Sequence, residues 1–174
     1  NAIRGSHNVF PEMYIDICNE LGILFMEEMF DGWYTSKNKN TYDFGPYFNT
    51  SVASSNKVIG GSGLKWYQFV ITQTIKRDRN NPSIFAWDVG NELDNYGDTS
   101  VGSDMKNIID GLDERPILWG NNTGNKQAID SYMDIFGGNY HLTDYLSRYS
   151  SFGMPFVGSE TASALSSRGV YKYS

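Results

Sequence analysis

The chain has 174 residues, 40% hydrophobic and 20% charged, enough for one globular domain with a sizeable core. A net charge of −6 without any run of Lys and Arg argues against a nucleic-acid partner. No stretch of about 18 apolar residues is present to span a membrane, and the single cysteine, Cys18, excludes an internal disulfide and a multi-cysteine metal site.

In chain order, Ala2-Ile3 is read as the stub of a strand, followed by the polar segment Arg4-Gly5-Ser6-His7-Asn8. Pro11 opens a helix in which Met13, Ile17 and Leu21 recur at helical spacing, and Gly22 stops it. Ile23 to Met26 form the next strand, ending in Glu27-Glu28. A polar insertion over residues 31–63 carries Trp33, Tyr34, Tyr42, Phe44, Tyr47 and Phe48. A loop of this length is usually functional; aromatics among polar groups either suit the apolar faces and hydroxyl edges of sugars or simply pack the loops. A helix is expected over 64–79, with Leu64, Tyr67, Ile71 and Ile75 on one face. The run Ile84-Phe-Ala-Trp-Asp-Val89 then reads as a buried strand that ends in Gly90-Asn91-Glu92.

A helix over 103–112, a strand over 116–119 and a short helix near 129–133 follow. Residues 135–140 form a strand, 142–149 a helix and 155–158 a last strand ending in Ser159-Glu160. Strands alternating with helices imply a parallel sheet with right-handed crossovers. No Gly-rich phosphate turn follows the first strand, so a doubly wound nucleotide-binding sheet is not favoured. Polar residues stand at the C-terminal ends of nearly all strands: Arg4 and His7, Glu28, Asn91 and Glu92, Tyr140, Glu160. A (β/α)8 TIM barrel distributes an active site in this way, but it needs roughly 250 residues. The expected fold is therefore α/β, an incomplete barrel holding about strands 2 to 7. The opening Asn-Ala-Ile-Arg, without Met, is expected of a piece of a longer protein whose localisation is left open.

In a barrel, Glu92 and Glu160 converge on one cavity. Two carboxylates across a sugar can perform glycoside hydrolysis, one protonating the leaving oxygen and the other attacking the anomeric carbon. Trp87, Trp119 and Arg4 are candidates for the apolar wall and the nearby cation that would set the two carboxylates apart, and Trp119 is counted with the sugar-binding residues. A serine hydrolase is disfavoured, because no Gly-x-Ser-x-Gly elbow is present. A non-catalytic carbohydrate-binding module would use the aromatics but would not need the paired glutamates.

The ordered motifs resemble the catalytic domain of glycoside hydrolase family 2, the family of β-galactosidases, β-mannosidases and β-glucuronidases. Asn1-Ala-Ile-Arg4-Gly-Ser6-His7 resembles its second-strand segment. Leu24 to Trp33 resembles the third, Arg77 through Glu92 the acid/base segment, Asn139-Tyr140 the sixth, and Phe156 to Thr161 the nucleophile segment. The resemblance implies Glu92 as general acid/base, Glu160 as nucleophile, Asn91 on the sugar 2-hydroxyl and Tyr140 on the nucleophile. It implies Arg4 and His7 lining the site and Glu28 supporting it. Asn81 stands where the family usually has His, and Glu27 where Asp is usual.

The expected activity is that of a retaining exo-β-glycosidase acting on β-galactosides, with the 31–63 loop shaping the leaving-group side. β-Mannosidase, β-glucuronidase and an inactive fragment remain open. No cofactor is required. Some family members bind Mg²⁺ near the acid/base, but no residues for it are identifiable. The implied partners are a carbohydrate substrate and the β-sandwich domains of the parent chain, with homo-oligomerisation left open.

Overall fold

A computed structural model describes residues 2–34, 44–53, 63–93 and 98–161. Its strands are β1 (Ala2–Gly5), β2 (Leu24–Glu28), β3 (Ile84–Asn91), β4 (Ile117–Asn121), β5 (Phe136–Asn139) and β6 (Phe156–Glu160). Its helices are α1 (Glu12–Leu21), α2 (Trp66–Asp78), α3 (Thr99–Asp110) and α4 (Leu142–Phe152), with a 3-10 turn at Ala128–Tyr132. The six strands form one sheet in sequence order, every neighbouring pair parallel. The sheet curls into a half-barrel: Arg4 on the edge strand β1 reaches Glu160 on the opposite edge strand β6, with Nη1 to Oε1 at 2.7 Å. Fold class and strand order are those expected from the sequence. Among the described residues, no helix is long and apolar enough to cross a membrane.

Strand alternation divides the apolar residues into two layers. Trp87, Val89, Ile117 and Trp119 point outward and pack with Ile71, Ile75, Met105 and Ile109 of the helices. Met26, Ala86 and Leu118 form the inner cluster, with Phe85, Ile135 and Val157 packed against it. The polar site sits on top of this small inner layer, at the C-terminal ends of the strands.

Three local features are settled by packing. The stripe Met13, Ile17, Leu21 does not face the sheet: these residues are exposed, and α1 buries Ile15 and Cys18 instead. Both stripes are apolar, and the one beside Phe25 is covered. α3 begins at Thr99, four residues before the expected start, because the Asp98 carboxylate caps it by accepting from the Val101 amide, and Gly102 approaches Ile129 closely. The insertion's described aromatics are mostly internal. Phe48 stacks on Trp33 and Tyr67 and meets Phe30 and Tyr34 edge-on, so these rings build a core cluster and do not form an open platform. Tyr47 is exposed. Tyr42 lies outside the described residues.

Candidate active site

Each functional side chain is delivered by a strand end. Arg4 points inward from β1 and His7 follows in the next loop. Glu28 ends β2 and Asp31 lies beyond it. Asp88 and Asn91 project from β3, and Glu92 follows with φ of 46°. Asn139 ends β5, and Tyr140 follows with φ of 60°. Left-handed backbone at two non-glycine residues is costly and is concentrated at functional sites. Here it turns both side chains off their strands, Glu92 to meet Asn139 and Tyr140 to meet Glu160. Backbone bonds brace the two turns: the Glu92 amide donates to the Gly120 carbonyl, and the Tyr140 amide to the Glu160 carbonyl, both at 2.7 Å.

Arg4 is the hub. Its Nε–H donates to Asp88 Oδ2 at 2.7 Å, and Nη1 to Glu160 Oε1 at 2.7 Å. Nη2 donates to Asn91 Oδ1 at 3.2 Å and lies 3.1 Å from Glu28 Oε2. Burial alone disfavours charge on Arg4, but Asp88, Glu28 and Glu160 outweigh it and hold the guanidinium protonated. Three carboxylates on one cation leave excess negative charge. Burial pushes the Asp88 carboxyl above its ordinary range against the pull of Arg4, and raises Glu28 to about 7 against the hydrogen bond from His7. His7 Nδ1 stands 3.1 Å from Glu28 Oε1, and that contact raises the imidazole despite partial burial.

The two glutamates sit in different surroundings. Both oxygens of Glu160 are engaged by strong donors: Arg4 on Oε1 and the Tyr140 hydroxyl on Oε2. Donating to that carboxylate raises the Tyr140 phenol to about 12. Glu92 Oε1 instead accepts from the neutral amide of Asn139 at 3.1 Å. Asn139 Nδ2 also donates to Asn91 Oδ1 at 2.9 Å, and Asn139 Oδ1 accepts from Ser159 Oγ at 2.6 Å. A chain of polar contacts thus joins Glu92 to Glu160 through Asn139, Asn91 and Arg4. Glu160 thus faces a cation and a phenol, whereas Glu92 faces a neutral amide.

The structure brings Arg4, His7, Glu28, Asn91, Glu92, Tyr140 and Glu160 into this one site. Trp119 is not part of it. It is fully buried on the helix side, its Nε1–H donating to Asp130 Oδ1 at 2.6 Å, because Leu118 and Gly120 occupy the inward positions of β4. Trp87 faces the same way and donates to Asp113. Sequence reasoning assigned no role to Asp88, Asp31, Asn139 or Ser159. A carboxylate inside an otherwise apolar strand was the available signal for Asp88. Asn139 carries no signal of its own beyond its place before Tyr140.

His7, Glu28 and Asp31 are the described residues whose donor atoms are spaced to surround a cation. They fit one poorly. Glu28 Oε2 already faces the Arg4 guanidinium, Glu28 Oε1 faces His7, and Asp31 Oδ1 accepts from Asn91 Nδ2 at 3.2 Å. A dication would sit against a fixed positive charge, so no step is assigned to a metal.

The model for glycosyl hydrolases family 2, TIM barrel domain, matches residues 1–171. The chain is 30% identical to a β-galactosidase, BoGH2A, of Bacteroides ovatus over 99% of its own length and 23% of that protein. It is 33% identical to a putative β-glucuronidase of Formosa agariphila over 99% of its length and 14% of that protein. Among solved structures, a glycosyl hydrolase family 2 member from Bacteroides cellulosilyticus superposes with a TM-score of 0.72 at 28% identity, covering 89% of this chain and 19% of that one. The chain therefore spans less than a quarter of the length of each of these relatives.

Proposed function

Because this chain belongs to glycoside hydrolase family 2, within its TIM-barrel domain, we propose that the protein carrying it is a retaining exo-β-glycosidase that hydrolyses terminal β-galactosides. The observation that carries the reading is the unequal setting of the two strand-end glutamates around one cavity. Glu160, charge-stabilised by Arg4 and Tyr140, attacks the anomeric carbon. Glu92 protonates the departing oxygen, and a glycosyl ester forms on Glu160. Glu92 then takes a proton from water as the ester is hydrolysed, so two inversions give net retention. Asn91 has its Oδ1 held by Arg4 and Asn139, while Nδ2 carries two hydrogens. One goes to Asp31 and the other is available to the sugar 2-hydroxyl.

Two features support a neutral sugar. The B. ovatus relative is a β-galactosidase. The cavity also carries the carboxylates Glu28, Asp31, Glu92 and Glu160, and its arginine is already committed to Asp88, Glu28 and Glu160. A uronate entering this site would meet these like charges, with Arg4 already committed and His7 Nδ1 facing Glu28. The likeness to a putative β-glucuronidase favours that second reading, and a substrate panel separates the two.

The test is a panel of nitrophenyl β-galactoside, β-mannoside and β-glucuronide on the full-length protein, together with Glu160→Ala and azide. The expected results are preference for the galactoside, loss of turnover in Glu160→Ala, and α-galactosyl azide on rescue. Unchanged turnover in the variant overturns the nucleophile assignment, and preference for the glucuronide overturns the substrate.

A further inference from the structure

Asp88 takes no part in the chemistry above, yet it is wholly buried one layer beneath the cavity, beside the apolar Met26–Ala86–Leu118 cluster. A carboxylate at that depth is costly unless it is paired and hydrogen-bonded. Its partners are specific: Oδ2 accepts from Arg4 Nε at 2.7 Å and Oδ1 from the Gly90 amide at 3.2 Å. Its own carbonyl accepts from the Met29 amide at 2.8 Å, which ties this part of β3 to the end of β2. The carboxylate is thus a fixed point in the sheet.

Arg4 has three carboxylates within reach and one planar guanidinium with which to meet them. Whichever group captures the Nε edge sets the plane of the fork and hence the direction of both terminal nitrogens. With Nε on Asp88, Nη1 points at Glu160, and Nη2 is shared between Asn91 and Glu28. Without Asp88, the excess negative charge at Glu28 and Glu160 draws the guanidinium by other edges. Both Glu160 and Asn91 then lose a fixed donor.

We propose that Asp88 is a positioning residue: it locks the Arg4 guanidinium from below so that Arg4 presents Nη1 to Glu160 and Nη2 to Asn91. This rests on the functional reading above. It goes beyond that reading by placing the determinant of nucleophile geometry on the strand that carries the acid/base, not on the nucleophile's own strand.

The test is a double-mutant cycle on the full-length protein with Asp88→Asn, Arg4→Ala and the pair, assayed on nitrophenyl β-galactoside. Galactose inhibition and thermal unfolding are measured in parallel. Asp88→Asn should lower kcat about 10- to 100-fold, the scale of a misplacement near 1 Å. The inhibition constant for galactose should change less than kcat, because Asn91 keeps its hydrogen bonds to Asn139 and Asp31. In the Arg4→Ala background the same substitution should cost almost nothing more. Asp88→Ser, which puts no amide against the guanidinium, should behave likewise and replaces Asp88→Asn if that variant unfolds. Additive losses, or full kcat in a variant of lowered thermal stability, overturn the proposal and leave Asp88 a buried counter-ion. Absence of turnover by the unmodified protein overturns the functional reading, and this proposal with it.

Discussion

The site depends on small details of shape as much as on its carboxylates. Gly120 lies at the centre of the network. A Cβ there would come within 2.8 Å of Arg4 Nη2 and of Asn91 Oδ1, and 3.1 Å of Asn139 Oδ1. The three amide and guanidinium groups can meet only because that position is empty. Gly120→Ala should therefore lower kcat by about 10²-fold, through displacement of Arg4 and Asn91, while far-UV circular dichroism keeps its native shape. Near-normal kcat would mean that the network tolerates displacement and does not govern the chemistry. The strand read from the sequence over 116–119 stops short of Gly120 and gives it no role. Its role becomes visible only when β1, β3 and β5 are brought over it. Trp119 was misread for the related reason that period-two alternation cannot tell which of two faces is the cavity until its neighbours are known.

Among the elements, β2 carries two adjacent buried glutamates that alternation sends to opposite faces. Glu28 enters the site, whereas Glu27 meets Asp78 and Arg77 on α2. Burial first, then the negative charge of Asp78, pushes Glu27 up to about 8. Its buried Oε2 accepts from no donor, which fits a protonated Glu27 carboxyl facing Asp78. The sign follows directly. Glu27 unfolded titrates near 4.5, so between about 4.5 and 8 the folded state binds more protons and stability falls as pH rises. In Glu27→Gln that proton is removed from the balance. Urea denaturation at pH 5 to 8.5 should show a decline shallower by up to about 1.4 kcal/mol per pH unit than in the unmodified protein. Identical slopes would place that proton elsewhere. Strand order, parallel direction and helix alternation were legible at this scale because each strand is an apolar run closed by Gly or a polar residue. The buried face of α1 was not. Met13–Ile17–Leu21 and Ile15–Cys18 are both apolar, and the choice is made by Phe25 on a different element.

For the molecule as a whole, the decisive fact is curvature. Arg4 and Glu160 stand on the two outermost strands, 156 residues apart in sequence, and meet across the interior. A cavity of about 170 Å³ remains between those edges beneath them. On the outer side, Ile3 of β1 and the stripe Met13, Tyr14, Ile17 and Leu21 of α1 are exposed, an apolar surface unusual for a finished domain. That surface agrees with a chain spanning under a quarter of its relatives' length. The sequence announced the strand-end glutamates. It did not reveal the contacts that distinguish them, since Arg4, Tyr140 and Asn139 act across the curled sheet and not along the chain. The central claim is that Glu160 is the residue that bonds to the sugar. Incubating the full-length protein with a 2-deoxy-2-fluoro-β-galactosyl fluoride and mapping the labelled peptide by mass spectrometry tests it directly. The account predicts one fluorogalactosyl group on Glu160; a label on Glu92 or any other residue would contradict it.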